Sequence, residues 1–97
     1  MPGEVLMIRL TSIDPARNRF RYYEIHFEAT LFGVEVTVVW GRIRHTRRRR
    51  VLVFDHEEEA ARVIQRLLKR RRYHGYRPEG DPDRWAYLPK GVAWDPR

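Results

Sequence analysis

Three stretches among the first 40 residues alternate apolar and polar side chains with the two-residue period of a half-buried β-strand. They cover residues 4–11, 19–29 and 34–40. Asp14-Pro15 breaks the pattern after the first stretch, and Gly33 marks a turn before the third. The apolar side chains that share one face of the third stretch are Val34, Val36, Val38 and Trp40. We therefore predict three strands.

A fourth strand and one helix are predicted in the second half of the chain. Val51–Phe54 ends the fourth strand, which begins in a run of arginines. Further on, apolar residues recur with the i, i+3, i+4, i+7 spacing of an amphipathic helix. The apolar stripe consists of Ala60, Val63, Ile64, Leu67 and Leu68. Asp55 is the predicted N-cap, with Glu58 at the capping-box position, and Gly75 is the predicted terminator.

The connections between the four strands are short, which favours an antiparallel meander. One sheet face needs the apolar stripe of the helix as its cover. The sequence therefore predicts a small α+β domain at residues 1–77, with one helix packed on a four-stranded antiparallel sheet. Residues 78–97 contain four prolines and two glycines, but Trp85, Tyr87 and Trp94 make them too aromatic for a disordered tail. We expect this C-terminal extension to pack on the domain.

The composition indicates a polyanionic partner. The chain has 20 Lys and Arg residues, 18 of them arginine, against 13 Asp and Glu, and its net charge is +7. Such a charge attracts nucleic acid or an acidic membrane surface. The excess of arginine matters because guanidinium groups bind phosphate bidentately and stack on bases. The chain has no cysteine, no membrane-spanning apolar run and no signal-peptide pattern, so we expect a cytoplasmic protein without disulfides, thiol catalysis or a membrane partner.

Two basic segments are candidate phosphate-binding sites. The first, between the third and fourth strands, contains six arginines: Arg42, Arg44, Arg47, Arg48, Arg49 and Arg50. On an alternating strand Arg47 and Arg49 would point one way and Arg48 and Arg50 the other. The second segment lies at the end of the helix and consists of Arg66, Lys69, Arg70, Arg71 and Arg72, with Arg77 after it. Cations there also stabilise the negative end of the helix dipole, so phosphate binding and helix stabilisation remain alternative interpretations.

The tripeptide at the end of the third strand stands in a distinctive setting. In chain order, the residues of this pattern are Trp40, Gly41, Arg42, Ile43, Phe54, Asp55, Ala60, Gly75 and Tyr76. Over about residues 20–77 their order and spacing resemble the WGR domain. Poly(ADP-ribose) polymerases carry this domain beside their catalytic domain, and small bacterial proteins carry it as well. The resemblance implies nucleic-acid binding.

The resemblance also implies roles for individual residues. In the WGR domains of poly(ADP-ribose) polymerases, the matching Trp packs against the terminal sugar of a DNA break and the Arg lies by the backbone. The tyrosine of the Gly-Tyr region sits near the 5′ end. These roles fall on Trp40, Arg42 and Tyr76. Arg44 stands where the family commonly has a glycine, which adds positive charge to the turn. Periodicity alone favours a core position for Trp40, because it is in phase with the apolar valines.

No catalytic, metal or cofactor site is predicted. The four histidines are too scattered for a ligand motif, and the lone serine lies in no nucleophile motif. We predict a non-enzymatic nucleic-acid-binding module that binds DNA ends or breaks and holds phosphates with its two basic segments. Two alternatives remain open. One is RNA binding by the same basic surface, and the other is a protein interaction or self-association through the aromatic C-terminal tail.

Overall fold

One antiparallel sheet and one helix form the framework of the molecule. The computed structural model describes residues 6–85, 89 and 91–95. The elements are β1 (Leu6–Asp14), β2 (Arg19–Thr30), β3 (Gly33–Arg42), β4 (Arg48–Phe54), α1 (Glu57–Tyr73) and β5 (Arg77–Pro78). Every neighbouring pair of strands is antiparallel, in the order β4-β3-β2-β1-β5. The predicted α+β class and the antiparallel meander are confirmed, but the sheet has five strands rather than four.

The fifth strand was missed because it is too short to show a period. Arg77 and Pro78 pair with Thr11 and Leu10 of β1, and the Glu79 amide donates to the Arg9 carbonyl at 2.8 Å. Proline cannot donate a backbone hydrogen bond and is tolerated at the edge of a sheet. Strand β5 therefore extends the sheet at its margin, where the chain passes from the helix to the C-terminal segment.

The hydrophobic core lies between α1 and one face of the sheet. The buried side chains of this core include Ile8, Leu10, Tyr23, Ile25, Phe27, Val34, Val36, Val38, Ala60, Ile64 and Leu68. The strand residues among them follow the two-residue alternation, as the sequence predicts. The stripe of α1 is also confirmed, although Val63 and Leu67 are half-buried and Ala61 is buried in addition. The face of the sheet that carries the core is called the α1 face below.

The start of α1 differs from the prediction. Asp55 is not the N-cap, because His56 occupies that position with an extended backbone and no capping side-chain hydrogen bond. The amide of Ala60 donates to the His56 carbonyl at 3.4 Å, so the helical hydrogen bonds begin one residue later than the capping box requires. Glu57, Glu58 and Glu59 fill the first turn instead. Their charges favour the positive end of the helix dipole without a local cap.

The end of α1 is a Schellman motif, which confirms Gly75 as the terminator. The Tyr76 amide donates to the Arg71 carbonyl and the Gly75 amide to the Arg72 carbonyl, both at 3.0 Å. Gly75 has a φ of 85°, a left-handed conformation that residues with a Cβ adopt at a cost. The motif reverses the chain and brings Tyr76 back into the core, where the residue is 5% exposed.

Part of the C-terminal extension contacts the domain. Trp85 and Trp94 are half-buried against the core, and the Ala93 amide donates to Oε1 of Gln65 in α1 at 2.9 Å. Tyr87 and the other residues at 86–88, 90, 96 and 97 lie outside the described part of the chain. The boundary between residues 77 and 78 stays a prediction. Among the described residues, no helix is long and apolar enough to cross a membrane.

Candidate nucleic-acid interface

The topology places opposite charges at the two ends of the sheet. One end carries the β1–β2 turn, the β3–β4 connection and the last turn of α1, and is called the basic end. Its cations are Arg17, Arg19, Arg21, Arg42, Arg44, Arg47, Arg48, Arg70, Arg71, Arg72 and Arg77. The opposite end carries the β2–β3 turn and the first turn of α1. Its acids are Glu28, Glu35, Asp55, Glu57, Glu58 and Glu59.

Arg42 is held in a fixed position at the basic end. Its Nη1 donates to the backbone carbonyl of Asn18 at 3.0 Å, and its Nη2 donates to Oδ1 of the same residue at 2.9 Å. The guanidinium also lies over the Phe20 ring, 5.3 Å from its centroid. Asn18 ends the β1–β2 turn in the left-handed region, with a φ of 53°, which asparagine tolerates better than most residues. Arg42 is thus oriented before any ligand arrives.

Gly41 lets the β3–β4 connection fold back on the sheet. A Cβ atom at this position would collide with the backbone carbonyl oxygen of Thr46. That carbonyl accepts a hydrogen bond from the Tyr22 hydroxyl at 2.9 Å, and Oγ1 of Thr46 accepts one from the Arg42 amide at 2.8 Å. Arg44 has a φ of 65° in this connection. An arginine therefore occupies a left-handed position of the kind that usually favours glycine.

Trp40 lies on the α1 face, half-buried beside the core. In the sheet register it stands between Tyr23 of β2 and Arg48 of β4. It borders a cleft of about 220 Å³ between the sheet and the end of α1. The residues that line this cleft, the Trp40 cleft, are Tyr23, Val38, Trp40, Arg50, Leu52, Leu67 and Arg71. Trp40 therefore contributes to the core with part of its side chain and to a surface cleft with the rest.

A row of cations continues from Trp40 toward the basic end. Arg21 and Arg42 are direct cross-strand partners, and Arg48 is the partner of Trp40. Cross-strand partners share a sheet face, so all four side chains lie on the α1 face. These four residues, called the ledge below, lie beside the last turn of α1. The pairing of Arg21 with Arg42 puts two like charges opposite each other, which destabilises the folded domain when no anion is bound.

The predicted arginine run is divided between the two faces. Arg50 pairs with Val38 and faces α1, whereas Arg49 pairs with Val39 and points to the opposite face. Arg44 and Arg47 belong to the connection and border a cavity of about 550 Å³ on that opposite face. The alternation expected from the sequence is thus observed.

The predicted cations at the helix end also separate. Lys69 and Arg72 border a cavity of about 270 Å³ with Trp94 of the C-terminal segment, and Arg70 is exposed. Arg71 points instead into the Trp40 cleft, so the two predicted basic segments meet there through Arg50 and Arg71. Of the cations in the two predicted segments, only Arg50 and Arg71 border this shared cleft.

Tyr76 is a core residue next to this cleft. Its ring meets the Tyr23 ring edge-on, with centroids 6.2 Å apart. The Arg71 guanidinium lies over both rings, 4.9 Å from the Tyr23 centroid and 5.5 Å from that of Tyr76. Burial raises the pKa of the Tyr23 hydroxyl, although the nearby Arg71 opposes this shift. The burial of Tyr76 leaves it little surface with which to touch a ligand directly.

Comparison with known protein families identifies the family to which this domain belongs. The family model of the WGR domain matches residues 7–83, which is most of the chain. The chain belongs to the WGR-domain family. In poly(ADP-ribose) polymerases the WGR domain is a nucleic-acid-binding type of domain, and by itself it is a binding module. Membership therefore supports a general nucleic-acid-binding role for this WGR domain.

One relative is similar over two thirds of the chain. It is the uncharacterized protein y4dW of Sinorhizobium fredii (strain NBRC 101917 / NGR234), 42% identical over 67 residues. Those residues are 68% of this chain and 33% of the relative, so the chain spans about a third of that protein's length. No solved structure matches the chain.

The sequence did not indicate how the ledge and the Trp40 cleft are supported. Arg71 was predicted only as a cation of the helix end; it follows Leu67 by four residues, so its place on the buried stripe of α1 could have been found from that spacing. Asn18 and Thr46 carry no such signal. Asn18, 24 residues before Arg42, accepts a hydrogen bond from its guanidinium, and Thr46, four residues after it, accepts one from its amide. Both hydrogen bonds depend on the conformation of a turn. Among the described residues, no group of His, Asp and Glu could hold a metal ion.

The sheet face opposite α1 carries a small ionic network near Arg44 and Arg47. Arg9 donates hydrogen bonds to the carboxylates of Glu24 and Glu79, and Nε2 of His26 lies 3.0 Å from Oε1 of Glu24. Burial by itself would raise the pKa of Glu24, but the hydrogen bonds with His26 and Arg9 outweigh it. The pKa of this carboxyl is therefore lower than its ordinary value.

Replacing Gly41 with alanine should destabilise the domain by about 1–3 kcal/mol, because the new methyl group must displace the Thr46 carbonyl. Chemical denaturation measures the loss. Gly80→Ala is the matched control. Gly80 has a φ of 89° and nothing within 4 Å of a built Cβ, so it reports backbone strain without a collision. An equal or smaller loss at Gly41 than at Gly80 would contradict the steric role.

Acid should destabilise the protein partly through Glu24. A carboxyl with a lowered pKa stabilises the fold above its unfolded-state value, near 4.5, and this contribution disappears as the pH falls through the folded-state pKa. Between about pH 6 and about pH 3, Glu24→Gln should therefore lose less unfolding free energy than the unaltered protein. Denaturant titrations at several pH values test this. Glu28→Gln, on the same strand and face, should retain the full acid sensitivity.

Proposed function

We propose that this WGR domain binds duplex DNA at its ends, through the basic end of the sheet, and that it catalyses no reaction. The observation that carries the proposal is the convergence of cations from three separate segments, residues 17–21, 42–48 and 70–77, at one end of the molecule. Six acids gather at the other end, whereas Asp14, at the end of β1, pairs with Arg17 at the basic end. Such a charge distribution steers a polyanion toward one surface and holds it by phosphate contacts.

The composition of the ledge favours a duplex end over the middle of a duplex. Trp40 is half-exposed beside three arginines. Within a continuous duplex both faces of every base pair are already stacked, so a flat indole finds a free base or sugar only where the duplex stops. The roles implied by the family are the same: Trp40 packs on the terminal nucleotide, and Arg42 lies by the backbone. The bonds from Arg42 to Asn18 fix the direction of its guanidinium.

The remaining predicted residues have three roles in this proposal. Phosphates of the two strands are bound by Arg48 on the ledge and by the other cations of this end of the molecule, which are Arg44, Arg47, Lys69, Arg70 and Arg72. Arg49 and Arg50 add to the positive field of β4. Tyr76 acts through Arg71, whose guanidinium it supports from below. Phosphate contacts carry no base information, so the proposed binding is independent of sequence.

Duplex affinity should fall steeply with salt, with a log-log slope of roughly −3 to −6, because each neutralised phosphate releases condensed counterions. Arg21→Gln should weaken binding and reduce the size of that slope by about 1, since Arg21 lies on the ledge. Arg62→Gln removes the same charge from an exposed position in the middle of α1 and should leave the slope nearly unchanged. Fluorescence anisotropy at several salt concentrations gives these slopes. Equal effects of the two variants would argue against the basic end as the interface.

Binding should also require a free end. A short linear duplex is expected to bind more tightly than a covalently closed dumbbell of equal length at the same salt, because only the linear duplex offers a terminal nucleotide to Trp40. Competition with single-stranded DNA and RNA of the same length is measured alongside. Equal affinity for linear and closed DNA would reduce the function to general electrostatic binding. Tighter binding of RNA than of the linear duplex would favour the RNA-binding alternative.

A further inference from the structure

The Trp40 cleft has the chemistry of an anion site with an aromatic wall. Two guanidinium groups border it, Arg50 from β4 and Arg71 from α1, and among the described residues no carboxylate lines it. Its other walls are apolar or aromatic, with Trp40 on the side toward the ledge. Two cations that share a small cleft repel each other unless an anion lies between them.

Arg71 is held in this cleft without an acceptor. Its guanidinium lies against the faces of Tyr23 and Tyr76, which attract the charge but accept no hydrogen bond in the plane of the group. Its Nε is buried and has no hydrogen-bond partner among the described residues. The buried Nε cannot be reached from the cleft, so a ligand oxygen there would accept charge-assisted hydrogen bonds from the terminal Nη groups of Arg71.

The size of the cleft limits what it can take. At about 220 Å³ it is smaller than the roughly 300–1,000 Å³ pockets that hold drug-sized ligands. One planar base with its phosphate at the rim matches both the volume and the wall chemistry. An aromatic face together with arginine is the combination by which proteins bind unpaired bases.

We propose that the Trp40 cleft binds a single unpaired nucleotide that overhangs a DNA end. The base stacks against Trp40 and the apolar wall, and the phosphate of that nucleotide is bound by Arg50 and Arg71. This inference rests on the proposed function, because it requires a duplex terminus at the ledge. A strand that continues past the terminus enters the cleft directly, since Trp40 belongs both to the ledge and to the cleft wall.

Five short duplexes of one sequence test the proposal with the complete chain. One is blunt, two carry a single-nucleotide overhang, at the 5′ end or at the 3′ end, and two carry the same overhangs as abasic nucleotides. One of the two overhang polarities should bind roughly 5-fold or more tightly than the blunt duplex, which is the contribution expected from one stacked base. The abasic overhang should lose most of that gain. If neither polarity exceeds the blunt duplex, or if the abasic overhang binds as tightly as the complete one, the cleft does not bind the base.

Neighbouring residues of β4 provide a matched pair of variants. Arg50→Gln should reduce the ratio of overhang to blunt affinity toward 1, because Arg50 borders the cleft. Arg49→Gln removes the same charge from the opposite face. It should leave the ratio of overhang to blunt affinity unchanged, although both affinities fall because the positive charge of the domain is reduced. Thermal melting checks that both variants are folded. Equal ratios in the two variants would overturn the assignment of the phosphate to Arg50.

The two proposals fail in different ways. If blunt duplex binds no better than closed DNA, the end-binding function is wrong, and the cleft assignment, which requires a duplex terminus at the ledge, is wrong with it. If blunt duplex binds better than closed DNA while overhangs add nothing, the end-binding function stands and only the cleft assignment is wrong.

Discussion

The packing of α1 on one sheet face determines where the candidate binding residues of the helix end lie. Burial of the stripe that contains Ala60, Ile64 and Leu68 fixes the rotation of the helix, since these side chains lose their contact with water only in that orientation. The same rotation directs Arg71 toward Tyr23 and turns Lys69 and Arg72 toward the C-terminal segment. Burial of the apolar stripe thus also decides which cations of the helix end lie in the Trp40 cleft and which lie beside the C-terminal segment.

Most of the framework could be predicted because its signals are local and periodic. Alternation identified β1, β2 and β3, and the helical stripe and Gly75 identified α1. The errors occur where a period is too short or where two positions compete. Strand β5 has only two residues, one of them a proline, so the sequence shows no alternation from which its pairing with β1 could be predicted. The N-cap is His56 rather than Asp55, and the acidic first turn at Glu57–Glu59 favours a helix start at either position, so it does not distinguish them.

The interface was harder to predict than the fold, because its geometry depends on contacts between distant segments. The sequence indicated a basic surface and the importance of Trp40 and Arg42, and the alternation along β4 correctly separated Arg49 from Arg50. It did not indicate that Trp40 would be both a core and a cleft residue. That dual position arises because Trp40 is in phase with the core valines but lies near the end of β3, where α1 covers the sheet only in part. Similarly, burial in the Schellman turn gave Tyr76 a supporting position beneath Arg71.

The anchoring of Arg42 has a consequence for any attempt to transplant this motif. In the tripeptide at residues 40–42, the Arg42 guanidinium donates hydrogen bonds to Asn18 and the Arg42 amide donates to Oγ1 of Thr46, whose carbonyl leaves no room for a Cβ atom at Gly41. These partners come from two other turns. Grafting these three residues onto the hairpin of another protein would therefore transfer the sequence of the motif but not the orientation of the Arg42 side chain. The smallest portable unit is therefore the two adjoining turns together with the strand end that they enclose.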